Sequence, residues 1–213
     1  HLMYRGQELN RMPAHAVAAA GIARTFQNIE LFEHASVLQN LLIGRHVHTR
    51  TGFWQQMMFL PSVRAEEMAT RRKVEEVIDF LDLQHYRDTR VAGLPYGIRK
   101  VVELARALCT QPKLLLLDEP ATGLDAPLRA EFYEILRQVQ ADFQTPMLLV
   151  THDLDEAIAV LGAGGARVVV LTTPYYVLGW PMRIDEHRSS MYAPWIDRYN
   201  SIQRSAVLAA GGT

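Results

Sequence analysis

An α/β fold built on a parallel sheet is what the sequence predicts, and three observations predict it. Strand-length apolar runs alternate with helical stretches along the first 171 residues, the pattern of strand–helix units joined by crossovers. One run, Leu114-Leu115-Leu116-Leu117, is continuously apolar, as a strand covered on both faces is. At 213 residues and 49% hydrophobic composition, the chain can fill the interior of one large domain, or of a core with an inserted subdomain.

In chain order, residues 1 to 25 read as a short strand, a turn at Gly6, a helix from about Pro13 to Ala20 stopped by Gly21, and a strand Ile22 to Thr25. Tyr4 to Leu9 reads as the middle of a sheet, which makes His1 an internal starting point or an expression remnant. Phe26-Gln27-Asn28 leaves the second strand as a polar loop. Ser36 to Gly44 reads as a short helix with Val37, Leu38, Leu41 and Leu42 on one face. Residues 45 to 62 read as an insertion containing His46, His48, Phe53, Trp54 and Pro61.

From about Arg64 to Leu83, Val74, Val77, Ile78 and Leu81 make the stripe of an amphipathic helix. The next helix starts just after Leu94-Pro95-Tyr96-Gly97, with Ile98, Val101, Val102, Ala105 and Leu108 on one face and Arg99, Lys100, Glu103 and Arg106 mostly elsewhere. After the leucine strand, Asp125 caps a helix that enters through Pro127 and carries Leu128, Phe132, Ile135, Leu136 and Val139. Met147 to Val150 is a strand ending in Thr151-His152-Asp153. A helix Leu154 to Leu161, a glycine loop Gly162 to Gly165 and a strand Arg167 to Leu171 follow. Beyond Thr172 the pattern weakens to a hairpin around Gly179 and a helix whose Trp195, Tyr199 and Ile202 read as packing residues.

Composition excludes several classes. A net charge of -1 with interspersed signs gives no electrostatic footprint for nucleic acid or anionic lipid. The single cysteine, Cys109, cannot form an internal disulfide; it fits a reducing compartment and reads as a buried small hydrophobe. No apolar run reaches the ~18 to 20 residues of a membrane span, and the start has no leader-like pattern. A zinc site wants three or four ligands, so His46 and His48 read as part of a solvated loop.

The leucine run ends in Asp118-Glu119-Pro120, then Ala121-Thr122-Gly123-Leu124-Asp125. Parallel sheets bind ligands beyond the carboxyl ends of their strands. Two acids there can divide the labour of nucleotide hydrolysis, the first holding Mg²⁺ through its water shell and the second polarising the attacking water. The alternative is a core strand ending in a solvated acidic turn. Gln27 alone is an ordinary loop glutamine, and a lone strand-end histidine such as His152 is more often structural than catalytic.

Taken in order, Gln27, Leu94-Pro95-Tyr96-Gly97, Leu114 to Asp125 and His152 resemble the Q-loop, signature loop, Walker B strand with D-loop, and switch histidine of the ATPase subunits of ABC transporters. The resemblance covers residues 1 to 160. It implies a P-loop NTPase-type sheet core with an inserted helical subdomain, ATP and Mg²⁺ as cofactors, Asp118 and Gln27 at the metal, and Glu119 as general base. It also implies Asp125 as the D-loop acid, His152 at the γ-phosphate, and Leu94, Pro95, Tyr96 and Gly97 gripping ATP held by a second ATPase subunit, identical or different. Gly21-Ile22-Ala23-Arg24-Thr25-Phe26-Gln27-Asn28, the insertion after Gly44 and Leu94-Pro95-Tyr96-Gly97 look most like the branched-chain amino acid importer ATPases.

Such subunits lie on the cytoplasmic face of the membrane beneath an integral permease, here contacted through residues about 45 to 90 and fed by a periplasmic solute-binding protein. The implied domains are a RecA-like core over residues 1–43 and 111–171, a helical signature subdomain over 44–110, and a tail over 172–213. Gly-x-x-x-x-Gly-Lys is missing: the lysines are Lys73, Lys100 and Lys113, none after a glycine. The expectation is therefore an N-terminally truncated ATPase, with a non-catalytic subunit that completes a partner's site as the alternative. A third class, a soluble ABC protein of repair or translation, would want a basic surface or a long coiled coil, and the sequence has neither.

Overall fold

The structure is a computed structural model and describes residues 3–25, 29–49, 51, 55, 57–58 and 61–150. All lie in the first of two compact units, His1–Thr151. The elements expected beyond Thr151, His152 among them, and Gln27 lie outside the described residues.

Strands β1 (Met3–Tyr4) and β2 (Gln7–Glu8) form a two-stranded antiparallel hairpin. Arg5 and Gly6 both have positive φ, 48° and 82°, as a two-residue hairpin turn requires. Tyr4 to Leu9, expected to read as the middle of a sheet, belongs up to Glu8 to a two-stranded hairpin among the described residues, because the turn pairs this segment with itself.

Helix α1 (Ala14–Ala19) follows, and Gly21 at φ 92° ends it where the sequence predicts. The main sheet holds β3 (Ile22–Thr25), β4 (Leu114–Asp118) and β5 (Met147–Val150), all parallel, with β4 central. In register, Arg24 faces Leu116 and Leu148, while Ala23 faces Leu115 and Met147. Ala23, Thr25, Leu115 and Leu117 are buried on one sheet face, whereas Arg24, Leu148 and Val150 are exposed on the other. The leucine run therefore has one face covered by the described residues, not two. Leu114 and Leu116 are only half-buried, although the run is apolar throughout.

The remaining α-helices among the described residues are α2 (Val37–Gly44), α3 (Pro61–Phe80), α4 (Tyr96–Cys109) and α5 (Ala126–Phe143). At the start of α2, Ser36 and Gln39 form a reciprocal capping box. The next orphan N–H groups, of Val37 and Leu38, donate to the carbonyls of Thr89 and Arg87, which ties the chain before α4 to the start of α2. Asn40 is fully buried: its amide nitrogen donates to the Phe32 and Ser36 carbonyls, and its oxygen accepts from Phe32 N–H. A buried amide so satisfied fixes the preceding loop instead of costing stability.

Helix α4 is the hub, packing on α2, α3 and β3. Enclosure on several sides explains why Lys100 and Glu103, expected away from the apolar face, are 2% and 3% exposed. Burial pushes the Lys100 ammonium pKa down, and the Glu103 charge opposes that shift. Cys109 is buried at the end of the same helix, where desolvation pushes its thiol up to about 12 against the pull of Arg45. Arg45 itself donates to the Cys109 carbonyl at 3.1 Å and to Gln111 Oε1 at 2.9 Å, joining the end of α2 to that of α4.

Val74, Val77, Ile78 and Leu81 are all buried, as the α3 stripe predicts. Non-glycine residues in the left-handed region end α3, α4 and α5, at Asp82, Gln111 and Gln144. After α3 the Leu83 and Asp82 N–H groups return to the Ile78 and Asp79 carbonyls, a Schellman ending made without glycine.

Gly44 sits at the closest approach of α2 to α4, where an added Cβ would stand 2.5 Å from the Arg106 carbonyl oxygen. Backbone cannot yield as a side chain can, so Gly44→Ala should lower stability by about 1 to 3 kcal/mol. Urea unfolding measures it; an unchanged midpoint would contradict this helix contact.

Candidate functional site

The acids come first. Asp118 is the last residue of β4, and its Oδ2 pairs with Arg24 Nη2 at 2.5 Å. Arg24 reaches it because the two lie on one face of neighbouring strands. The pair is partly open, with side chains 55% and 26% exposed, so its energetic weight is small. Glu119 then turns the chain: its φ is 47°, and its N–H donates to the Val150 carbonyl at 2.8 Å. A left-handed non-glycine residue costs roughly 1 to 2 kcal/mol, and such strain gathers at functional positions.

The following turn closes on Glu119. Thr122 N–H donates to the Glu119 carbonyl at 3.2 Å, and Thr122 Oγ1 donates to Glu119 Oε2 at 3.1 Å. Asp125 caps α5 as predicted, accepting from Leu128 N–H at 3.0 Å, with a proline just inside the helix. Its carboxylate thus has a structural task in this chain.

Leu94, Pro95, Tyr96 and Gly97 arrive from the other side. Leu94 is buried, and Arg99 holds the loop by donating to the Leu94 carbonyl at 2.9 Å and the Ala92 carbonyl at 2.7 Å. Pro95 is the N-cap of α4 and gives no side-chain acceptor to its first N–H groups. Those groups and the positive end of the helix suit an anionic oxygen. Tyr96 and Gly97 fall inside the first turn, so the helix begins within the tetrapeptide rather than after it.

Tyr96 lies against the turn that follows the acids. Its hydroxyl donates to the Thr122 carbonyl at 3.3 Å, and its ring packs on Gly123, which has φ 83°. A Cβ on Gly123 would stand 3.0 Å from Tyr96 Cε1, whereas one on Gly97 would meet nothing closer than Leu128 Cδ1 at 3.5 Å. Intrachain packing therefore demands glycine at 123 and not at 97.

The structure thus brings Tyr96 against Thr122 and Gly123, and Gly97 near Leu124 and Leu128, in the segment that follows the acids. A groove of about 400 Å³ lined by residues including His15, Ile22, Arg24, Ile43 and His46 holds none of Leu94 to Gly97 or Asp118 to Asp125. His46 and His48 sit in a short 3-10 helix, with a His48 ring nitrogen 2.7 Å from the Thr110 carbonyl oxygen.

Sequence reasoning missed Arg24 and Thr122. Two-residue strand periodicity puts Arg24 on the Asp118 face, and the Glu-x-x-Thr spacing is that of a side chain reaching back across a turn. Among the described residues no cluster of three His, Cys, Asp or Glu converges. Mg²⁺ asks for no such cluster, being held by one or two carboxylates, water and substrate phosphates. The hard oxygens of Asp118 at the sheet's carboxyl end fit that demand.

The ABC transporter family model matches residues 1–122. The chain belongs to the ABC transporter family. Similar proteins include the high-affinity branched-chain amino acid transport ATP-binding proteins LivG of Escherichia coli K12, 31% identical over 153 residues, and BraF of Pseudomonas aeruginosa, 28% identical over 155. These alignments cover 72% and 73% of this chain but 60% and 61% of the relatives, so the chain spans about three-fifths of their length. The sulfate/thiosulfate import ATP-binding protein CysA of Photorhabdus laumondii is 36% identical over 171 residues, 80% of this chain and 42% of that protein.

Among solved structures, the ADP conformation of MJ1267, an ATP-binding cassette of an ABC transporter, has a TM-score of 0.59 at 27% identity, covering 74% of this chain and 61% of that one. A nucleotide-free ATP-binding cassette from an ABC transporter has a TM-score of 0.57 at 26% identity, with 73% and 60% covered. The α/β fold of this ABC family member is that of the ATP-binding cassettes.

Substitutions separate the glycines. Gly123→Ala should cost about 1 to 3 kcal/mol through its left-handed backbone and the Tyr96 ring. Gly97→Ala, near a helix start where the added methyl makes only ordinary van der Waals contact with Leu124 and Leu128, should stay within about 1 kcal/mol of the parent. Denaturant midpoints test the pair, and equal losses would contradict the described turn.

Proposed function

We propose that this chain belongs to the ATP-hydrolysing subunit of an ABC importer for branched-chain or related amino acids, working on Mg²⁺-bound ATP. The observation that carries this reading is the meeting of two elements, the acid pair Asp118-Glu119 on its strained turn and the start of α4 docked on the same turn through Tyr96. The resemblance in sequence to importer subunits supports the substrate class, with sulfate import among the functions of similar proteins.

In this reading Glu119 accepts a proton from the attacking water and aims it, a role in which positioning and electrostatics dominate. Asp118 holds the metal's water shell once Arg24 yields the carboxylate. The N–H groups at Tyr96 and Gly97 bind a phosphate carried by a second subunit. Bound Mg²⁺ neutralises charge on the phosphates. The roles of Gln27 at the metal and His152 at the γ-phosphate rest on the sequence resemblance alone.

The same reading assigns residues 1–43 and 111–171 to the catalytic core, 44–110 to the signature subdomain and 172–213 to a tail. It puts the protein on the cytoplasmic face of the membrane, meeting a permease through residues about 45 to 90 and served by a periplasmic solute-binding protein. Among the described residues no helix is long and apolar enough to cross a membrane.

A non-catalytic subunit that completes a partner's site through Leu94 to Gly97 is the second reading. Lys73 pairs with Glu76 on α3, Lys100 is buried in α4, and Lys113 packs its stem beside Gly21, so none lies in a glycine-rich phosphate loop.

In the intact gene product, Glu119→Gln should lower Mg-dependent ATP turnover by about 10²- to 10⁴-fold while nucleotide binding persists; undiminished turnover would remove Glu119 from its role. The 213-residue chain by itself should turn over ATP at background. Under the second reading it stimulates an intact related ATPase, and Gly97→Asp abolishes the stimulation by placing a carboxylate where a phosphate binds.

A further inference from the structure

Glu119 has its backbone fixed by the left-handed turn and the bond to Val150, but backbone geometry alone does not aim a carboxylate. A glutamate side chain retains several staggered torsions, and aiming it means removing that freedom. The Thr122 hydroxyl, 3.1 Å from Glu119 Oε2, removes part of it. Thr122 is suited to it: β-branching stiffens χ1, and a hydroxyl donating to a carboxylate makes a charge-assisted bond stronger than a neutral one.

Thr122 is held in turn. Tyr96 donates to its carbonyl at 3.3 Å and lays its ring against Gly123, whose missing Cβ permits the contact. The other side of this arrangement is Lys100, with Nζ 5.8 Å from the Tyr96 ring centroid and its side chain buried in α4. A continuous path thus runs from the first turn of α4 to the acid.

We propose that Tyr96 and Thr122 are positioning residues: Tyr96 fixes the Thr122 backbone, the Thr122 hydroxyl holds the Glu119 carboxylate, and the start of α4 thereby sets the aim of the acid in its own chain. This rests on the proposed role of Glu119. Neither residue touches the reacting atoms. An event at the start of α4, such as the arrival of a phosphate at its N–H groups, reaches Glu119 through two side chains and one peptide unit.

Two measurements test it. Carboxyl carbon-13 NMR of the 213-residue chain, with Glu119 assigned by its loss in Glu119→Gln, needs no nucleotide. Thr122→Val should move that resonance, Thr122→Ser should return it, and Tyr96→Phe should move it the same way by less. In the intact gene product Thr122→Val should lower kcat for ATP about five- to tenfold with KM unchanged, and Thr122→Ser should recover it to within about twofold. The Glu119→Gln background should hide the Thr122→Val effect.

An unmoved resonance in Thr122→Val overturns the linkage whatever the turnover does. A kcat loss that Thr122→Ser fails to rescue also overturns it, since the hydroxyl is then not the cause. Full turnover by Glu119→Gln removes the functional reading itself and is recognised separately from either result.

Discussion

One backbone hydrogen bond, from Glu119 N–H to the Val150 carbonyl, organises the carboxyl end of the sheet. It extends the β4–β5 pairing one residue past the strand, so the ladder is still in force when the chain enters the left-handed region. Without that anchor a non-glycine residue would relax towards ordinary backbone angles. With it, Asp118 remains on the sheet face shared with Arg24, while Glu119 and Thr122 are turned onto a separate loop. The adjacent acids thereby acquire different partners, an arginine for one and a threonine for the other.

The element that meets this loop is also the centre of the helical packing. Helix α4 is enclosed by α2, α3 and β3, its end is tied to Arg45, and its beginning is braced by Arg99 and Tyr96. Its packed interior begins at Lys100, one turn behind the half-exposed Tyr96. Helix α2 adds to this through the capping contacts with Arg87 and Thr89, which bring the approach to α4 under the control of a second helix.

Much of this was legible because the strongest signals were local. Ser36 and Asp125 are oxygen-bearing caps before apolar periodic stretches, Gly21 stops a helix, and the α3 stripe repeats at helical spacing; each determines structure within a few residues. The elements that escaped depend on distant partners. Nothing near Lys100 in the sequence says that three elements enclose it. The endings at Asp82, Gln111 and Gln144 carry no glycine; local backbone bonds accompany these exposed residues in the left-handed region. The acids were legible as a pair at a strand end, but Arg24 joins them only through the β3–β4 register, and Tyr96 reaches Thr122 across 26 residues of chain.

The buried thiol of Cys109 gives this architecture a built-in chronometer. The thiolate is the reactive species, and a thiol whose pKa stands near 12 and whose sulfur is enclosed reacts with an alkylating reagent only when α4 opens at its end. Because Arg45 and Gln111 join that end to α2, the labelling rate counts separations of the two helices. The single cysteine of the chain lies where Arg45 joins the two helices.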